Sequence, residues 1–330
     1  MDMLKKIPYT SDAIRLSGRW SREENQAITT TTGSVIELAF RGERALFRFD
    51  TSYNVPPNPP LWISVDGSPR IEVPLDSFLQ VNGYGSGNHV ATVIFKSADE
   101  NQHRWYPPLV GKLTFLGAEV EAEGILPLDE RKTIEIVGDS ITEGVLTERG
   151  DYEVYPIGSN NRVYQDDVCA TYGWLTAEKL NLRPIIMGYG AVGIHKSGSG
   201  SVPKVIESYP YNFHGSPVTR PSADFILINH GANDARCTPE EYLTGYERFL
   251  DRVIEMNPSS QIIVMSAFCG AFAEELGTMV QMYNQANGTD ILYVNSKGWI
   301  PEEQPLHPWR SGHQIVADKL SAILKEQFDL

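Results

Sequence analysis

The spacing of apolar residues changes once along this 330-residue chain, near Pro127, and that change constrains the fold more than any other feature. From Ser34 to Glu121 the apolar residues come in short alternating runs: SVIELAF (34–40), ALFRFD (45–50), LWISVDG (61–67), RIEVPL (70–75), HVATVIF (89–95) and KLTFLGAEVE (112–121). Turn residues separate them at Arg41-Gly42, Pro56-Pro57, Asp66-Gly67 and 83–88. Alternation puts every second side chain on one face, the mark of half-buried antiparallel strands, so residues 1–128 read as an all-β sandwich. Within it, WISVDGSPRIEV reads as a hairpin turning at Asp66-Gly67.

Beyond Pro127 the runs become continuous and β-branched: TIEIV (133–137), PIIM (184–187), DFILIN (224–229), QIIVM (261–265) and DILYV (290–294). Such runs suit strands buried on both faces, and segments of helical period separate them. One helix is fully signposted, with Thr238 as N-cap, Pro239 at the first position and Glu241 closing a capping box; Tyr242, Tyr246, Phe249, Leu250 and Val253 share a face, and Asn257-Pro258 ends it. Further helices read at 168–180, 271–286 and 313–328, while 196–222, rich in Ser, Gly and Pro, matches no regular pattern. Alternating strand and helix predict an α/β fold with a parallel sheet over 129–330.

Charge narrows the partners. The 28 basic and 42 acidic residues leave −14, of which −3 falls in residues 1–128 and −11 in 129–330. That field repels nucleic acid and anionic membrane surfaces and suits a neutral substrate. Three cysteines, Cys169, Cys237 and Cys269, form no CxxC pair, so neither a disulfide framework nor a metal centre is expected. The N-terminal segment has no apolar leader region, and no apolar run of membrane-spanning length occurs, which reads as a soluble, cytoplasmic protein, or a secreted one if a leader has been removed. Nothing in the sequence specifies an oligomeric state.

Four polar or glycine-rich blocks stand at or just beyond strand carboxyl ends, where open parallel sheets collect ligands. They are Gly138-Asp139-Ser140-Ile141-Thr142, Gly188 to Ile194, Asn229 to Asp234, and Leu306 to His313. A bare GDS tripeptide is more often a hydrogen-bonded turn than a nucleophile, and it is not a G-x-S-x-G elbow, because Thr142 replaces the second Gly. The four blocks together supply what acyl transfer needs. Ser140 can attack a carbonyl, His307 can take and return its proton, and the Ser140 and Gly193 amides with the Asn233 carboxamide can hold the oxyanion.

In this combination the chain resembles the SGNH (GDSL-type) hydrolase superfamily, through GDSIT (138–142), Gly193, GAND (231–234) and HP with a trailing GH (307–313). Gly18-Arg19-Trp20, Gly87-Asn88-His89-Val90 and KTIEIVGDSITEG add a narrower likeness to carbohydrate esterase family 2. The resemblance implies a jelly-roll-like sandwich before an SGNH-type α/β/α sandwich, and a cofactor-free serine esterase. Its implied substrates are acetylated xylan-type polysaccharides or oligosaccharides, deacetylated through an acyl-enzyme. Two rival readings are a lipid or thioester acylhydrolase and a glycan-binding protein with a vestigial hydrolase domain.

One position departs from the superfamily: Gln304 stands where an aspartate usually orients the histidine. A Ser140–His307 dyad is therefore expected, the imidazole held by Gln304 or a main-chain carbonyl, with Glu302 or Glu303 as substitutes. Trp309 and Tyr189 are candidate platforms for a sugar ring, and His195 and His230 candidate substrate contacts, although packing explains each as well. His313 reads as structural, and Asp139 and Asp234 as ligands of loop backbone.

Overall fold

A computed structural model of the chain describes residues 4–149 and 162–330. In the first half ten strands pair antiparallel: β1 (Lys5–Pro8), β2 (Ile14–Ser17), β3 (Ser21–Arg22), β4 (Ala27–Thr29), β5 (Val35–Phe49), β6 (Pro60–Val65), β7 (Ile71–Pro74), β8 (Phe78–Asn82), β9 (Asn88–Phe95) and β10 (Leu113–Glu123). The main path runs β3-β4-β10-β5-β9-β6-β7, with β1 on β10 and both β2 and β8 on β5. The two runs at 34–40 and 45–50, expected as separate strands about a turn at Arg41-Gly42, are one strand of 15 residues. Gly42 takes φ 112°, which lets β5 bend without breaking. Before the bend β5 lies between β2 and β9, and after it between β8 and β10. Ile36, Leu38, Phe40, Ala45, Phe47 and Phe49 of this strand enter one apolar core. The β6–β7 hairpin forms as expected, Asp66 and Gly67 both at positive φ.

In the second half β11 (Thr133–Gly138), β12 (Arg183–Gly188), β15 (Phe225–Asn229), β16 (Gln261–Met265) and β17 (Leu292–Val294) form a parallel sheet in the order β12-β11-β15-β16-β17. A short hairpin, β13 (Tyr211–Phe213) with β14 (Ser216–Pro217), falls in the segment without regular pattern, as does helix α3 (Val205–Ser208). The remaining helices are α1 (Ser140–Glu143), α2 (Tyr172–Lys179), α4 (Pro239–Met256), α5 (Ala273–Asn287) and α6 (Arg310–Phe328). Side chains alternate across the sheet, which sorts the helices into two layers. Val137, Ile226, Ile228 and Val264 pack with Tyr246 and Leu250 of α4 and Leu276 of α5. Ile136, Leu227, Ile263 and Met265 pack with Trp174 of α2 and Leu320 of α6. The capping box at α4 forms as read, Thr238 Oγ1 accepting from the Glu241 amide and Glu241 accepting from the Thr238 amide.

Buried ion pairs join the halves. Arg19 and Glu135 are almost fully buried and meet at 2.9 Å, and Arg220 also reaches Glu135. Burial alone would raise the Glu135 carboxyl, but the Arg220 and Arg19 guanidinia hold it down at about 2.

Candidate active site

The carboxyl end of β11 runs into α1, and that junction presents Ser140. Asp139 is the N-cap, its Oδ1 accepting from the Ile141 amide at 3.0 Å, so Ser140 occupies the first helical position. A backbone N–H there has no partner within the helix and faces outward as a donor. Ser140 Oγ lies 2.8 Å from Nε2 of His307, 167 residues away in sequence.

The segment carrying His307 is tied down on both sides. Gln304 Oε1 accepts from the Trp309 amide at 2.8 Å, and its Nε2 donates to Ser311 at 3.2 Å. The Arg310 amide donates to the Thr147 carbonyl at 2.9 Å, and the Arg310 guanidinium pairs with Glu148 and, at 3.1 Å, with Asp167. Asp167 in turn accepts from the Trp62 indole of β6 at 3.0 Å. The expectation that Gln304 orients the imidazole is thus corrected: both ends of its amide shape the turn into α6. Glu302 and Glu303 are exposed, and among the described residues no carboxylate is hydrogen-bonded to His307. Burial lowers the basicity of His307; the charge of Glu100 opposes that and Arg162 adds to it.

The oxyanion blocks converge with one difference. The Gly193 amide, expected to be a free donor, donates to the Lys196 carbonyl at 2.9 Å in a tight turn. Glycine is needed there for another reason: a Cβ would lie 2.6 Å from the Asp234 carboxylate, which accepts from the Ile194 and His195 amides at 2.9 Å each. Asn233 Nδ2 donates to Asp139 Oδ2 and to the Val192 carbonyl, both at 3.1 Å, and its Oδ1 lies 3.5 Å from Lys196 Nζ. Burial pushes the Asp139 carboxyl up to about 7, with the charge of Asp234 adding to it.

The expected substrate contacts divide. Tyr189 is buried, its hydroxyl 2.8 Å from Thr30 Oγ1 and its ring beneath the Arg104 guanidinium, so it is core and no sugar platform. His230 is also buried, edge-on to Phe249, and burial lowers it to about 4, which corrects its reading as a substrate contact. His195 is exposed, but its Nε2 is bound to the Glu241 carbonyl at 2.8 Å, fastening the loop to α4. Trp309 stays partly open immediately before α6. His313 lies within the first turn of α6, which begins three residues earlier than read; it is wholly buried, stacks on Tyr172 and accepts from the Tyr172 amide at 3.0 Å.

Several residues near the site gave no signal in sequence because they come from the first half or from loops. Arg104 meets Glu143, the last residue of α1, at 2.5 Å with both side chains buried. Thr32 Oγ1 donates to the Glu143 carbonyl at 3.1 Å. Glu100 pairs with Arg162, and a Cβ on Gly190 would lie 2.0 Å from the Glu100 carboxylate. No local spacing marks these side chains; only the docking of the first half onto α1 brings them to the rim. Among the described residues no group of three or more His, Cys, Asp or Glu is arranged to hold a metal ion.

No protein-family model and no curated protein sequence matches the chain. Solved structures match it over nearly its whole length. A family two carbohydrate esterase from Cellvibrio japonicus superposes with a TM-score of 0.81 at 19% identity, covering 98% of each chain. A family two carbohydrate esterase from Clostridium thermocellum in complex with cellohexaose gives 0.75 at 20% identity, covering 96% of this chain and 99% of the other. An acetyl xylan esterase from the rumen bacterium Butyrivibrio proteoclasticus gives 0.79 at 17% identity, covering 99% of each. The chain therefore has the fold of the family two carbohydrate esterases, in both halves.

Proposed function

We propose that this chain, folded as the family two carbohydrate esterases are, is a serine esterase that removes O-acetyl groups from carbohydrate through an acyl-enzyme. The observation that carries the reading is the 2.8 Å contact between Ser140 Oγ and His307 Nε2 at the carboxyl end of the parallel sheet. In this mechanism neutral His307 takes the Ser140 proton through Nε2 as Oγ attacks the acetyl carbonyl. The imidazolium then protonates the departing sugar hydroxyl, leaving acetyl-Ser140. Water, deprotonated by the same Nε2, attacks the acyl-enzyme; Ser140 recovers its proton and acetate leaves.

The oxyanion falls to the Ser140 amide, unpaired among the described residues at the helix start, and to Asn233 Nδ2, which trades one internal acceptor for it. The Gly193 amide keeps its turn, so its part is to let Asp234 close on the loop. With Gln304 occupied elsewhere, Ser140 and His307 work as a dyad, and Arg310, Trp309 and Gln304 hold the histidine segment by its backbone.

Acetate release from acetylated xylo-oligosaccharides, measured beside hydrolysis of p-nitrophenyl esters of increasing chain length, tests the reading. Rates are expected to fall steeply beyond acetyl, because a pocket shaped for one methyl group penalises each added methylene. Equal or faster turnover of octanoyl esters would shift the assignment to a lipid acylhydrolase. Oligosaccharide binding without turnover of any ester would leave a glycan-binding protein. Ser140→Ala and His307→Ala should each abolish turnover while the fold persists.

A further inference from the structure

A second cleft lies at the opposite end of the parallel sheet, where β2 and β3 of the first half meet the amino ends of β11 and β12. It encloses about 390 Å³ and is walled by Arg22, Arg183, Arg220, Thr133 and Ser222, over a floor that includes Trp20. Thr133 begins β11 and Ser140 follows its end, so the two sites stand about 20 Å apart at roughly 3.3 Å per residue.

The lining contains three arginines and no acidic residue, in a chain with 42 acidic against 28 basic side chains. The acids behind the wall are already matched. Glu135 is shared by Arg19 and Arg220, and Asp129 by Arg131 and Arg183. Each trio carries one surplus positive charge. Arg22 adds a third, exposed and, among the described residues, without an ion pair; Asp224, which accepts from Thr133, and the exposed Glu23 and Glu24 that follow Arg22 are the acids nearby. Donor capacity remains as well: Arg183 engages Asp129 through Nε and Nη2, leaving Nη1, and the exposed Arg22 brings its whole guanidinium. Guanidinium forks with hydroxyls beside them are the groups that recognise carboxylate or phosphate oxygens, and the volume is that of a small-ligand pocket.

We propose that this cleft is a binding site for a small organic oxyanion, a carboxylate- or phosphate-bearing molecule of about monosaccharide size, distinct from the Ser140 site and independent of the esterase reading. Calorimetric titration with D-glucuronate, with inorganic phosphate and with neutral D-glucose tests it. At least one of the two anions should bind saturably in the millimolar range or tighter, and glucose should not bind this cleft. Arg22→Ala should weaken the anion by about tenfold or more, with Arg22→Lys between it and the native protein. Hydrolysis of p-nitrophenyl acetate should be unchanged in Arg22→Ala, and anion binding unchanged in Ser140→Ala. Arg22 is exposed on a two-residue strand, and melting temperatures of both Arg22 variants report whether the fold is intact. Absence of saturation with both anions, equal affinity in Arg22→Ala, or loss of binding in Ser140→Ala would each overturn the proposal.

Discussion

At the scale of single residues, the surroundings of His307 set the pH dependence of the proposed reaction. A base must be neutral to act, and burial makes this imidazole less basic than a free one. The acid limb of kcat/KM should therefore fall below pH 6.5, the ordinary histidine midpoint. Glu100 opposes the burial effect, so Glu100→Gln should move the limb to still lower pH, and a limb that moves up or stays fixed would remove Glu100 from the field at the site. Asn233→Ala should lower kcat by about 10² to 10³ with a smaller change in KM, the usual cost of one oxyanion donor. Gln304→Ala removes the acceptor for the Trp309 amide and should cost about 1 kcal/mol of stability. Its effect on kcat should stay far short of the roughly 10⁴-fold that loss of a triad carboxylate costs in serine proteases. Glu302→Gln and Glu303→Gln should be silent, and a collapse of kcat in either would restore a triad.

At the scale of elements, the proposed dyad rests on α1 and on the segment leading into α6, and neither could hold its place alone. Helix α1 has four residues, too few to be stable in isolation, and is fixed by Asp139 at its start and Arg104 and Thr32 at its end. Helix α6 is long, but its side-chain cap is missing at Trp309, and Gln304 acts in its stead from five residues upstream. Helix α4 is the contrasting case, since its capping box is local and complete. Thr238→Ala should therefore cost about 1 kcal/mol in denaturant unfolding and leave kcat unchanged, because no residue of α4 reaches Ser140 through that cap.

At the scale of the whole molecule, the two halves share their cores. Ile94 of β9 belongs to the apolar cluster of α2 and α6, and Ile28, Trp105 and Leu109 belong to that of α4 and α5. Removing either half would expose this surface and strand buried charges. Calorimetry should accordingly show one unfolding transition; two well-separated transitions would mean that the halves fold independently. Arg104→Met should destabilise the protein by roughly 3–5 kcal/mol, since it leaves Glu143 buried without the guanidinium that offsets its burial. It should also reduce kcat more than KM, because Glu143 closes the helix that presents Ser140.

How far the chain could be read follows from which interactions are local. Alternation before Pro127 and β-branched runs after it mark strands of both sheets, and the direction of parallel strands brings the blocks at 138, 188 and 229 to one rim, where the contacts of Gln304 and Arg310 set the block at 307. Periodicity and chain direction are properties of neighbouring residues, so they are written in the sequence. β1 to β4 and β8 escaped that reading because these short strands carry no continuous apolar run of the kind that marks the equally short β15 and β16. The tertiary structure alone decided the hydrogen-bond partners at the site: Gln304 turned to Trp309, the Gly193 amide closed on Lys196, and Tyr189 and His230 were drawn into the core. It also brought Arg104 to Glu143 and joined Arg19 to Glu135 across 116 residues. A side chain buried beside a charge or an open donor takes whichever partner packing delivers, and no local pattern in the chain records that choice.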